Sequence, residues 1–70
     1  MKILIKKDIK ENGNISGAVT TSALLWKKGN DINYIATDFF EVVEKLSEKD
    51  YYFLEKGNII FWDIYTIQKI

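Results

Sequence analysis

The chain contains no cysteine, no histidine, no arginine and no proline. Without cysteine there is no disulfide frame, and without histidine as well a structural zinc site lacks both of its usual ligands. General acid–base chemistry near neutral pH loses the residue it most often uses. Ten lysines supply all the basic charge. Bidentate clamping of phosphate or guanine, for which the planar fork of arginine is the usual instrument, is therefore disfavoured. Long apolar runs are missing too. Met1 to Lys10 alternates too much to form a signal peptide's apolar region, and no run approaches the roughly 20 residues of a membrane helix. The expectation is a soluble cytoplasmic protein without cofactor or metal.

What is present fits one small domain. Seventy residues lie near the lower size at which a single core folds unaided. With disulfides and metal set aside, a dense aromatic core or oligomerisation is the remaining reinforcement. Six of the ten aromatic residues fall between Tyr51 and Ile67. That stretch reads as two apolar runs, Tyr51–Leu54 and Ile59–Tyr65, around a hairpin turn at Glu55-Lys56-Gly57-Asn58. In the second run Ile60, Trp62 and Ile64 alternate with Ile59, Phe61, Tyr65 and Ile67, so both faces are apolar. A strand of that kind is expected at the centre of a sheet or at an interface.

Earlier in the chain, Ile3, Ile5 and Ile9 alternate with Lys6, Asp8 and Lys10, a half-buried strand. Asn12-Gly13 follows, a strong hairpin signal because both residues tolerate positive φ. Residues 15–28 admit two readings. As a strand, Ile15, Val19, Thr21, Ala23 and Leu25 share a face and Gly17 marks a bulge or bend; as a helix, Ser22 caps a short turn from Ala23 to Lys28. The Val19-Thr20-Thr21 run favours the strand. Gly29-Asn30 and Gly57-Asn58 repeat the Gly-Asn punctuation, which suggests three hairpins.

Asp38 to Lys49 is the expected helix, with Asp38 and Glu41 as a capping box. Phe39, Val42, Val43 and Leu46 form its apolar stripe. Glu41, Glu44 and Glu48 lie on the other side, as a solvated face rather than a cation site. The resulting fold class is α+β, with a small, mainly antiparallel sheet in the order β-β-β-α-β-β and one amphipathic helix packed on it. A partly open barrel is one form of it. In the alternative, ββαββ, the helix starts at Asn30 or Asp31, and Ile32, Ile35 and Ala36 extend the stripe.

No nucleophile elbow or phosphate loop surrounds any Ser, Thr, Tyr or Lys. Asp63 sits in the most apolar run, read as a solvent-facing or hydrogen-bonded strand position; a carboxylate in an apolar cleft is the other reading, with no second catalytic group beside it. The chain reads as non-enzymatic, and two functional readings remain. The first is a protein-binding module of the kind phages and mobile elements use as inhibitors or regulators. Tyr51, Phe53, Phe61, Trp62 and Tyr65 are its candidate interface, and a homodimer its economical form. Charge is split to suit such pairing. Residues 1–30 carry six lysines against two acids, residues 31–58 seven acids against three lysines. These opposite halves attract within one fold or between copies. The second reading is an OB-like single-strand nucleic-acid binder using Lys6, Lys7, Lys10, Trp26, Lys27, Lys28 and Tyr34. Zero net charge and the acidic second half count against it.

Overall fold

A computed structural model of the chain describes residues 1–35 and 38–70. Five strands form one antiparallel sheet: β1 Lys2–Glu11, β2 Asn14–Lys28, β3 Asp31–Ile35, β4 Ile60–Trp62 and β5 Tyr65–Lys69. Two short helices, α1 Phe40–Val43 and α2 Glu48–Glu55, lie between β3 and β4. The strand order is β3-β2-β1-β5-β4, and the sheet is open rather than closed into a barrel. Residues 15–28 and Asp31–Ile35 are strands, which removes the ββαββ alternative. Ala36, which the longer helical stripe would include, falls outside the described residues.

β1 is the central strand. Its odd-numbered residues turn their backbone groups toward β2: the N-terminal amine of Met1 donates to the Leu25 carbonyl, and the Leu25 amide returns a bond to Met1, both at 2.8 Å. Its even-numbered residues face β5, with the Asp8 amide 2.8 Å from the Ile64 carbonyl and the Ile70 amide 2.9 Å from that of Lys2. The C-terminal run is therefore not central; β4 is the sheet's edge.

Register sorts the side chains onto two faces, since residues directly opposite share a face. Ile3 opposes Ala23, and Ile5 opposes both Thr21 and Ile67. Leu25 opposes Tyr34, and Ile60 opposes Ile67. All of these lie on the side that the helices cover. The core is Ile3, Ile5, Ala23, Leu25, Ile60 and Ile67 from the sheet against Val42, Val43, Leu46, Tyr51 and Leu54. Among the described residues no polar or charged side chain is buried in it.

Two Gly-Asn signals make the turns they announce. Asn12 and Gly13 have φ of 52° and 81°, the paired positive values of a type I′ turn. Gly29, at φ 63°, opens the two-residue loop between Lys28 and Asp31. The third signal ends a helix instead. Gly57 has φ 93°, its amide reaches the Leu54 carbonyl at 2.9 Å, and the Asn58 amide reaches Phe53 at 3.1 Å. These are the paired bonds of a Schellman motif, which leaves a left-handed glycine just past the helix. Tyr51–Leu54 is thus helical, not a strand. Trp62 opposes Tyr65 across the true C-terminal hairpin, whose turn is Asp63-Ile64 with Asp63 at φ 49°. That turn resets the alternation, so Ile60, Trp62, Tyr65 and Ile67 share one face and Phe61 takes the other.

The single helix expected over Asp38–Lys49 is two helices. Asp38 makes no capping box; α1 begins after Phe39 with no side-chain cap. The capping box belongs to Ser47. Its hydroxyl accepts from the Asp50 amide at 3.2 Å, while the Asp50 carboxylate accepts from the Ser47 amide at 2.8 Å. A capped N-terminus fixes Ser47 in extended backbone (ψ 171°), so α1 cannot run through it. The stripe Val42, Val43 and Leu46 is buried all the same, and Phe39 packs against its edge.

A helix and a strand over Tyr51–Leu54 bury different residues, because helical neighbours on one face are three or four apart. Leu54 is fully buried and Phe53 is exposed. Leu54→Ala should cost about 2–5 kcal/mol, and Phe53→Ala no more than about 0.5 kcal/mol. Urea denaturation measures both, and equal losses would contradict the helix.

Candidate functional site

The helical layer covers one face of the sheet and is fastened there by three acid–sheet contacts. The Tyr65 hydroxyl donates to Glu41 Oε1 at 2.7 Å, and the Tyr34 hydroxyl to Glu44 Oε1 at 2.9 Å. Lys27 Nζ forms an ion pair with Glu48 Oε1 at 3.0 Å and donates to the Tyr52 hydroxyl. Glu41 and Glu44 stay exposed to solvent and Glu48 half-buried while each bonds to the sheet. Among the described residues no cluster of three or more acids, cysteines or histidines is placed to hold a metal.

These contacts set the electrostatics. The hydrogen bond from Tyr65, helped by Glu41's own backbone and by the charges of Lys7 and Lys45, holds the Glu41 carboxyl below its ordinary value. The same bond raises the Tyr65 phenol, and Glu44 raises Tyr34. Lys27 is raised by Tyr52 first and Glu48 second. The signs follow by linkage. Glu41's contribution to stability is present above the ordinary carboxylate pKa and is lost as pH falls through its folded value. Those of Tyr34, Tyr65 and Lys27 are present below the ordinary values of 10.0 and 10.5 and are lost as pH rises past their folded ones.

The opposite face of the sheet has no layer on it among the described residues. By register it carries Lys2, Leu4, Lys6 and Asp8 from β1, Ala18 to Lys28 in alternation from β2, Asp31, Asn33 and Ile35 from β3, Phe61 from β4, and Thr66 and Gln68 from β5. Leu24 opposes Ile35, Trp26 stands two residues along β2, and Leu4 is diagonal to Leu24. The result is an apolar patch edged by Lys2 and Lys28. Trp26 is 43% and Ile35 51% exposed.

The candidate interface residues do not gather in one place. Tyr51 is buried in the core from α2, and Phe53 is exposed on the outer side of that helix. Trp62 and Tyr65 are half-buried on the helix-covered face, where Phe39 meets Tyr65 edge-on at 6.0 Å. Lys7 Nζ stands 5.7 Å from both of those ring centres. Phe61 alone of the five reaches the open face, where it is 72% exposed. Leu4, Leu24 and Ile35 are not among the interface residues expected from sequence, where Ile35 figures only in the longer helical stripe. Their signal was the adjacent pair Leu24-Leu25, of which a strand can bury only one on a covered face.

The candidate nucleic-acid residues are divided as well. Lys6, Trp26 and Lys28 lie on the open face, whereas Lys7, Lys27 and Tyr34 lie on the covered one, the last two engaged by acids. Lys10 is on the exposed part of β1 beyond β5. Lys6 opposes Thr20, so along β2 it is roughly 20 Å from Trp26. Asp63 is exposed in its hairpin turn.

A concavity of about 460 Å³ lies between β3 and the helices, lined by Asp31, Asn33, Tyr34, Glu44, Ser47 and Glu48 among others. It is open and acidic, and it holds none of the candidate residues except Tyr34. No helix among the described residues is long and apolar enough to cross a membrane. No protein-family model, curated protein or solved structure matches the chain.

Tyr65→Phe removes one hydroxyl and leaves the ring. The Glu41 pKa should then rise toward its ordinary value of 4.5, as followed by carboxyl ¹³C NMR across acid pH. An unchanged titration would show that the hydroxyl does not hold it.

Proposed function

We propose that the chain is a small, non-enzymatic protein-binding module that docks a larger protein on the open face of its sheet and regulates it by occupancy. The observation that carries this reading is the patch of Leu4, Leu24, Trp26 and Ile35, left without a covering layer among the described residues. Contiguous exposed apolar surface marks interaction sites more often than it is tolerated idly. Tryptophan is among the residues that most often anchor interfaces. Lys2, Lys6 and Lys28 around the patch suit a partner whose own apolar knob is rimmed by acids.

The nucleic-acid reading has less behind it. A single-strand binder needs a continuous basic track with stacking rings along it, and here the lysines are split between two faces.

The test is retention of a partner by the immobilised protein from lysate of its source, comparing wild type with Trp26→Asp and with Phe53→Ala. One protein held by wild type and by Phe53→Ala but lost by Trp26→Asp is the expected result. Retention indifferent to Trp26, or an eluate containing only nucleic acid that is released by moderate salt, would overturn it.

A further inference from the structure

The molecule is elongated, 43 × 21 × 19 Å, because β1 and β2 run on past the body. Among the described residues β5 pairs with β1 only as far as Lys7, and β3 pairs with β2 only from Leu24 onward. Beyond those points the two strands stand as a ribbon, and every residue from Ile9 to Thr20 is exposed. A two-stranded ribbon without a third strand or a packed face is marginal in water. This one also exposes Ile9 and Val19 on the helix side.

Its two edges differ. Along β1 the ribbon carries Asp8, Lys10 and Glu11, the kind of charge that guards a free edge. Along β2 there is no charged residue between Glu11 and Lys27, and no proline in the chain. A bulge does guard the tip: Ile9 opposes Gly17 but Lys10 opposes Ile15, leaving Ser16 as the extra residue, its hydroxyl 3.3 Å from the Ile9 carbonyl. From Gly17 toward the body the edge is regular. Gly17, Val19 and Thr21 oppose odd-numbered β1 residues and bond to them, as Leu25 does to Met1. Ala18 and Thr20 therefore turn their amides and carbonyls away from β1, and among the described residues no strand meets them.

We propose that this edge of β2 pairs with the same edge of a second copy, antiparallel and about a two-fold axis near Val19. Ala18 of one copy then exchanges two backbone hydrogen bonds with Thr20 of the other, and Thr20 with Ala18, which makes the contact isologous and closed. Val19 meets its own counterpart in a non-hydrogen-bonded pair, where side chains stand closest. Val19, exposed on the helix side, thereby gains its own counterpart as a lateral neighbour. No like charges oppose each other along the joint. The two ribbons become four strands, and β3 and the second copy divide β2's outer edge between them. The open faces with Trp26 stay accessible, so the pairing stands independently of what they bind.

Thr20→Pro tests it with little disturbance of the monomer, because the amide it removes points outward and makes no bond within the sheet. Val19→Lys is a second variant, setting two ammonium groups against each other in the dimer alone. Sedimentation equilibrium from about 10 µM to about 1 mM should show wild type passing from monomer to dimer. Each variant should weaken the dimer by about tenfold or more while its circular dichroism stays that of wild type. Amide exchange of Ala18 and Thr20 should slow as concentration rises. A strict monomer at the highest concentration would overturn the proposal. So would a dimer that survives both substitutions, or Ala18 and Thr20 amides protected at every concentration. Loss of the dimer in Trp26→Asp would move the self-contact to the open face and overturn it too, whereas a dimer that persists in Trp26→Asp supports the edge.

Discussion

β1 is hydrogen-bonded along both sides, and the position of every other element follows from that. A strand satisfied on two edges has its faces fixed as well, since residues bonded alternately left and right also point alternately up and down. Ile3 and Ile5 are consequently driven to one face and are completely removed from water. They define where the helices must lie, because apolar side chains from β2, β4 and β5 arrive in the same plane through the register. The pairing of β1 with β5 also brings the last strand beside the first, closing the longest sequence separation in the fold. The helical layer then adds cover rather than organisation. It is two short pieces held by burial of Val42, Val43, Leu46, Tyr51 and Leu54, with the contacts of Glu41, Glu44 and Glu48 to Tyr65, Tyr34 and Lys27 at its margin.

The same arrangement explains why one face of the sheet has no layer on it among the described residues. The chain between β3 and β4 contributes a four-residue and an eight-residue helix, enough for one face of the body and none of the other. The lysines of the first half and the acids of the second meet partly across the covered face, as Lys27 and Glu48 do. Lys2 and Lys28 remain on the open face beside Leu24 and Trp26, with Lys6 farther along β1. The charge asymmetry visible in sequence is thus used twice, once to fasten the helices and once to colour the open surface.

Local signals with a single physical meaning were legible. Asn12-Gly13 could only be a tight turn, and the alternation of Ile3 and Ile5 could only be a strand. The α+β class and the first strands followed, whereas the last hairpin lies over Ile60–Trp62 and Tyr65–Lys69 instead of beginning at Tyr51. Signals with two meanings were not. Gly57-Asn58 serves a helix C-terminus as well as it would a hairpin, since both need a residue at positive φ. Tyr51–Leu54 is apolar throughout, and four such residues have no period to read. Ser47-Glu48-Lys49-Asp50 carried the information that separates the helices, but Asp38 and Glu41 offered a competing cap three residues apart. Which apolar residues would stay exposed depends on where the helices fall; the pair Leu24-Leu25 says that one of the two does, not which.

Amide hydrogen exchange along β1 and β4, measured residue by residue by NMR, addresses the central strand most directly. Ile3, Leu4, Ile5 and Lys6 should all exchange slowly, odd and even alike, because β2 protects one set and β5 the other. Phe61, on the edge strand, should exchange faster than any of them. Rapid exchange of every second amide in β1, or greater protection of Ile60–Trp62 than of Ile3–Lys6, would place β1 at an edge and contradict the account.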